Sequence, residues 1–107
     1  MISVDMATAG RQRVVSHVLV TGRLTVNSKA AVALMAGSSE LSGRTYMKVT
    51  NSSATVPVRL GSTGVTWKTG EQLDPGESRE FWFDAATAVS IYAVSTGAEA
   101  ELEITEA

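Results

Sequence analysis

His17 is the only histidine of the chain and sits in the apolar run Val14-Val15-Ser16-His17-Val18-Leu19-Val20. General-base catalysis needs a nucleophile within hydrogen-bond reach, and no serine or cysteine nucleophile signature accompanies it. His17 therefore reads as a packed or solvent-facing side chain. Cysteine is absent, which removes disulfides, thiolate zinc sites and thiol nucleophiles, and one imidazole cannot make a histidine metal cluster. Glu71, Asp74 and Glu77 bracket a Pro-Gly turn and offer carboxylates to calcium, but their spacing matches no dedicated loop and reads as a solvated turn. Gly61-Ser62-Thr63-Gly64 lacks the lysine and helix that follow a phosphate cradle. Asn51-Ser52-Ser53 fits the glycosylation pattern, and without a secretory signal it reads as a turn. The expectation is a non-enzymatic chain with no catalytic residue, no metal and no cofactor.

Arg44, Tyr46, Lys48, Arg59, Trp67 and Lys68 interleave basic and aromatic side chains on neighbouring segments, as a nucleic-acid groove does. Two each of Trp, Tyr and Phe are too few for a broad stacking platform, and the rest of the chain is acidic, so no nucleic-acid partner is expected. The net charge of −2 hides a division: residues before 71 sum to +6 and those from Glu71 onward to −8. Either basic and acidic strands lie side by side and neutralise each other, or the subunit carries opposite charge at two ends and orders its contacts with copies or a larger assembly. Apolar runs such as Ala30 to Ala36 are too short to cross a bilayer. The opening Met1-Ile2-Ser3-Val4-Asp5-Met6 has no basic region followed by an apolar core, so a cytoplasmic origin and no membrane are expected.

The elements that would position these residues are short strands. At 107 residues the chain fits one domain, with residues 1–12 as an extended N-terminal arm and 13–107 as a β-sandwich domain. The arm is either a free tail or a clasp on a neighbour. Val14–Val20 and Arg23–Val26 read as a hairpin turning at Thr21-Gly22, and Lys29–Ala36 as a further strand before the loop Gly37–Gly43. From Arg44 the chain reads as a meander. Met47 and Val49 oppose Tyr46 and Lys48; Val56, Val58 and Leu60 oppose Pro57 and Arg59; Phe81 and Phe83 face the core, leaving Trp82 outside. Pro57 cannot donate to a ladder, so its strand lies at an edge or pairs only through its other side. Val65–Lys68 reads as a strand reversing at Thr69-Gly70, and Leu73-Asp74-Pro75-Gly76-Glu77 as a type II turn. In the last strand Ala98, Ala100, Leu102 and Ile104 alternate with Glu99, Glu101, Glu103 and Thr105, one face on a core and one in water.

The order of Arg44, Asn51, Gly61, Gly64-Val65-Thr66, Thr69-Gly70, Leu73-Asp74-Pro75-Gly76-Glu77, Phe81-Trp82-Phe83, Ile91-Tyr92-Ala93 and the acidic strand to Glu106 resembles small β-sandwich virion proteins of tailed bacteriophages. The resemblance covers roughly the C-terminal 60 residues and rests on order and spacing. It implies an all-β fold: a small antiparallel β-sandwich of jelly-roll type with about eight short strands. It further implies a head decoration (cement) protein, made in the bacterial host cytoplasm. On the outer capsid surface of the virion, as a homotrimer, such a protein would bind the lattice of the major capsid protein. Arg11, Arg13 and Arg23 would then meet an acidic capsid surface, and Trp82 would anchor a subunit contact. The alternatives are a tail, collar or head-fibre component, and a carbohydrate-binding module stacking sugars on Trp67, Trp82 and Tyr92.

Overall fold

The computed structural model describes residues 19–84, 86 and 89–107. The expected arm and Arg11, Arg13 and His17 lie outside the described residues. Eight strands follow in chain order: β1 (Val20–Val26), β2 (Val32–Ala33), β3 (Tyr46–Asn51), β4 (Val58–Gly61), β5 (Glu71–Leu73), β6 (Ser78–Trp82), β7 (Tyr92–Ser95) and β8 (Ala100–Glu106). No helix occurs among the described residues. The strands form two antiparallel sheets, one in the order β1-β8-β3-β6 and the other β2-β7-β4-β5. First pairs with last, β2 with β7, β3 with β6 and β4 with β5, as though one long hairpin had been folded over itself.

Period-two alternation drives this arrangement, because each strand turns one face inward. Val26, Met47, Val49, Ala100, Leu102 and Ile104 of the first sheet share a single cluster with Val58, Leu60, Leu73 and Ala93 of the second. Phe81 and Phe83 are half-buried against it, and Trp82 points away. The turn at Asp74-Pro75-Gly76-Glu77 has the expected chemistry: Glu77 N donates to Asp74 O at 2.9 Å, and Gly76 takes the positive φ of 85° that its position requires.

Several expectations give way to tertiary packing. Thr21-Gly22 is no turn; β1 runs straight through it, each residue paired with β8 from Val20↔Glu106 to Val26↔Ala100. Glycine is needed there because a Cβ on Gly22 would lie 1.9 Å from the carbonyl oxygen of Ala36. Within Lys29–Ala36 only Val32 and Ala33 are strand; Leu34, fully buried, adds one more bond in the same register, its N–H donating to Ile91 O at 2.8 Å. Val65–Lys68 is a loop of two successive turns, closed by Val65 N to Ser62 O at 2.9 Å and Thr69 N to Thr66 O at 3.1 Å. Pro57 does not mark an edge. It precedes β4, which is paired on both sides, and its carbonyl accepts from Thr96 N and Thr96 Oγ1 at 3.1 and 3.2 Å. Ala98 is exposed in the turn before β8, where its carbonyl accepts from Ser95 Oγ at 2.6 Å.

The close approach at Gly22 sets a test. Gly22→Ala should lower unfolding free energy by about 1–3 kcal/mol, the usual cost of overpacking. Gly97→Ala, where an added Cβ meets nothing within 4 Å, should stay within about 0.5 kcal/mol. Equilibrium urea unfolding of the two variants checks the difference.

Candidate functional site

β8 continues its inward parity past Ile104, and the next inward residue is Glu106. Its carboxylate is 1% exposed, and the guanidinium that meets it, Arg44, is 2% exposed. Arg44 Nη1 donates to Glu106 Oε2 at 2.6 Å. Around this pair the loops close: Glu106 accepts from Ala36 N at 2.9 Å and Leu41 N at 3.2 Å, and Arg44 Nη2 donates to Val89 O at 2.8 Å. The guanidinium also lies over the Phe83 ring, 4.9 Å from its centroid. The arrangement is a structural clamp. Its carboxylate oxygens already accept from Arg44, Ala36 and Leu41, so they are not disposed for a ligand. A depression of about 360 Å³ lies beside it, lined in part by Val20, Ser38, Ser39, Glu40, Ser42 and Glu106, and its second carboxylate, Glu40, also accepts from Arg44 Nη2 at 3.4 Å.

At the other end of β3, Asn51 is fully buried. Its Nδ2 donates to Val56 O and Leu73 O at 2.9 and 3.1 Å, while Oδ1 accepts from Ser53 N and Ser53 Oγ at 3.0 and 2.7 Å. The glycosylation-type motif is thus a buried amide hub. The three carboxylates near the Pro-Gly turn are engaged separately: Glu71 pairs with Arg79, Asp74 accepts from Gln72 Nε2, and Glu77 accepts from the backbone of Asp74. Among the described residues no group of three His, Cys, Asp or Glu is placed to hold a metal ion.

Arg23 and Trp82 both lie on the solvent face of the first sheet, but on its opposite edge strands, β1 and β6, with β8 and β3 between. The structure does not bring them together. Arg23 Nη1 donates to Glu101 Oε1 at 2.9 Å, so this expected capsid contact is already paired within the subunit. Trp82 is 70% exposed and tilts against Tyr46, with ring centroids 5.7 Å apart. Tyr46 in turn donates its hydroxyl to Glu80 at 2.6 Å, and Lys48 stands opposite Glu80 in the β3–β6 register. The acidic β8 is flanked by β1 and β3, which carry Arg23 and Lys48; basic and acidic portions therefore interleave across this sheet.

Two aromatic groupings considered from the sequence do not assemble. Tyr92 alternates with the core residue Ala93 on the second sheet, Trp82 faces away from the core on the first, and Trp67 sits in the β4–β5 loop under Lys68, 5.0 Å from its ring centroid. They share no stacking face. Arg44, buried in the clamp, is lost to any basic surface. The open depression of about 270 Å³ in the same loop is lined by Gly61, Ser62, Gly64, Val65, Thr69 and Gly70, none of them charged.

No family model matches the chain, and comparisons with curated proteins and with solved structures return no significant match. The functional reading therefore rests on the residues themselves. Sequence reasoning missed Glu106 and Asn51 as polar core members. The signal for Glu106 was its parity, since it shares the face of Ala100, Leu102 and Ile104; nothing local marked Asn51.

Truncating Glu106 to Ala should cost about 3–5 kcal/mol, because it strands a buried guanidinium. The double variant Arg44→Met/Glu106→Leu should lose clearly less than the two single truncations together, as read by chemical denaturation. A second test is spectroscopic. The Glu80 carboxylate, by accepting the hydroxyl proton, together with burial and its negative charge, raises the Tyr46 pKa to about 12. The raised value means that this contact stabilises the fold fully below pH about 10 and is lost as pH rises through about 12. Glu80→Gln should bring the Tyr46 ultraviolet titration midpoint down toward that of an ordinary tyrosine.

Proposed function

We propose that the chain is a non-enzymatic structural protein of a tailed-bacteriophage virion, a jelly roll that decorates the outer surface of the head and cements neighbouring capsid subunits. The observation that carries this reading is the strand order β1-β8-β3-β6 facing β2-β7-β4-β5, the order obtained by rolling up one long antiparallel hairpin. That architecture is what the resemblance of the C-terminal 60 or so residues implies. Two residues of the resemblance hold parts of the fold together: Asn51 O accepts from Gly76 N of the Pro-Gly turn at 2.8 Å, and Arg44 clamps the closing strand.

Binding by surface burial suits the chemistry of this subunit. The polar groups of both hubs are turned inward on the protein itself, while Trp82 is left outside. A shell-binding module needs area and rigidity more than a pocket. Many copies on a regular lattice would each bury modest surface and together resist expansion or rupture of the head. The partner is the major capsid protein, and the working unit is a homo-oligomer.

Co-sedimentation with heads assembled without this protein tests the reading. The full chain should bind saturably, and a chain beginning at Val14 should bind more weakly if the first residues clasp the shell. Heads left bare by the full-length protein would sink the decoration reading and move a tail, collar or fibre role to the front.

A further inference from the structure

The four edge strands of the two sheets are not alike. β2 is two residues long, and β5 is three, with its Gln72 carbonyl taken by Arg79 Nη2 at 3.5 Å. β1 is backed at Gly22 by the carbonyl of Ala36. β6 is different: five residues, Ser78-Arg79-Glu80-Phe81-Trp82, with neither proline nor an outward lysine.

The ladder to β3 decides which backbone groups of β6 remain. Phe83 N donates to Thr45 O at 2.8 Å and Asn51 N to Glu77 O at 2.9 Å, so residues of odd number bond β3. The N–H and C=O groups of Ser78, Glu80 and Trp82 therefore point to the free side, and none makes a backbone bond there among the described residues. Next to this edge stand the exposed Trp82 and the half-buried Phe81 and Phe83, an apolar margin left unfinished by the subunit's own core.

We infer that this edge pairs antiparallel with β6 of a second copy about a two-fold axis at Phe81, joining the two first sheets into one continuous sheet. The sequence of β6 selects both the partner and the register. Centring the axis on Arg79 sets Arg79 against its own copy, and centring it on Glu80 does the same for Glu80. Centring it on Trp82 sets Glu80 against Asp84. Of the axes from Arg79 to Trp82 only the one at Phe81 avoids a like-charge pair, and like charges directly opposed destabilise a sheet. An axis at Ser78 avoids one too but sets Phe81 against Pro75 and runs most of the contact into the Pro-Gly turn.

That register is also complementary. Phe81 meets Phe81 of the second copy on the inward face, where a non-hydrogen-bonded pair brings side chains closest. Glu80 lies beside the second copy's Trp82, whose indole N–H can donate to the carboxylate. Arg79, its charge already matched by Glu71, lies beside Phe83 without opposing a like charge, and Ser78 lies beside Asp84, a hydroxyl beside an acceptor. A copy of the chain thus supplies what the edge lacks among the described residues: backbone partners for Ser78, Glu80 and Trp82, and apolar cover for Phe81. The contact is isologous, so it closes as a dimer and does not propagate into a fibre. It holds whatever the chain decorates, and it gives a two-fold unit in place of the trimer that the resemblance implies.

Sedimentation velocity of the full chain across the micromolar range tests it. A concentration-dependent dimer is expected. Trp82→Glu, which sets a glutamate beside Glu80 of the other copy twice per dimer, should weaken association roughly tenfold. The double variant Glu80→Lys/Trp82→Glu should restore it by turning both repulsions into attractions. Amide exchange offers a readout free of substitutions: the N–H groups of Glu80 and Trp82 should slow as dimer forms. A species that stays monomeric or is trimeric, an association indifferent to Trp82→Glu, or exchange at Glu80 and Trp82 independent of concentration would each overturn the proposal.

Discussion

Everything at one end of the molecule depends on placing a full positive and a full negative charge out of water at 2.6 Å from each other. A buried ion pair of this kind adds little net stability over an apolar pair, because desolvation consumes most of the Coulomb attraction. What it imposes is position. Glu106 has to collect the amides of Ala36 and Leu41, and Arg44 the carbonyl of Val89, since each charge needs its remaining hydrogen-bond capacity filled. Loops that have little apolar content to anchor them, such as Gly37–Gly43, are thereby held against the end of β8. The terminal Ala107 joins them through Thr45 N and Tyr46 N to its carbonyl at 2.8 and 3.1 Å.

Asn51 performs the matching task at the opposite end of β3, so the strand runs between two buried polar hubs. The middle of β3 is ordinary sheet: Met47 and Val49 inward, Lys48 outward. This division explains how an eight-stranded structure with strands of two to seven residues keeps a fixed register. Short strands alone slip easily, because a shift of two residues preserves the inward face. A buried amide and a buried ion pair tolerate no shift, since any displacement leaves a polar group without a partner.

The sequence shows strand parity well and chain reversals unevenly. Alternation in β3, β4, β6 and β8 could be read directly, because each of these strands packs one face on the shared core. The Pro75-Gly76 turn was readable because its backbone angles demand those residues. Gly22 was misread as a turn because a glycine needed for close approach by Ala36 looks, in sequence, like one needed for a reversal. Pro57 was misread as an edge marker because its rule concerns the strand interior, and it sits just before β4 begins. Arg44 looked like a surface cation for the same local reason: only the long-range arrival of Glu106, from the far end of the chain, makes its burial tolerable. Candidate contact residues fared accordingly. Trp82 could be placed outside by parity, whereas the pairing of Arg23 with Glu101 requires knowing that β1 lies beside β8.

The same pairing limits how this surface can meet anything else. Where basic and acidic strands alternate across a sheet, the field of the face cancels over a few ångströms, so the face neither steers nor repels a large charged partner strongly. The +6 and −8 of the two portions of the sequence therefore do not become two charged poles on the first sheet. What interleaving leaves over at the β6 edge is an exposed indole beside Tyr46 and backbone groups that no described residue pairs. Backbone hydrogen bonds carry geometry and little sequence preference, and an aromatic ring carries contact area with few rotamers to freeze. Together they fit association that is set by alignment of strands, the mode of contact open to a small β-domain whose buried polar side chains, Arg44, Glu106 and Asn51, are already spent on holding its own loops.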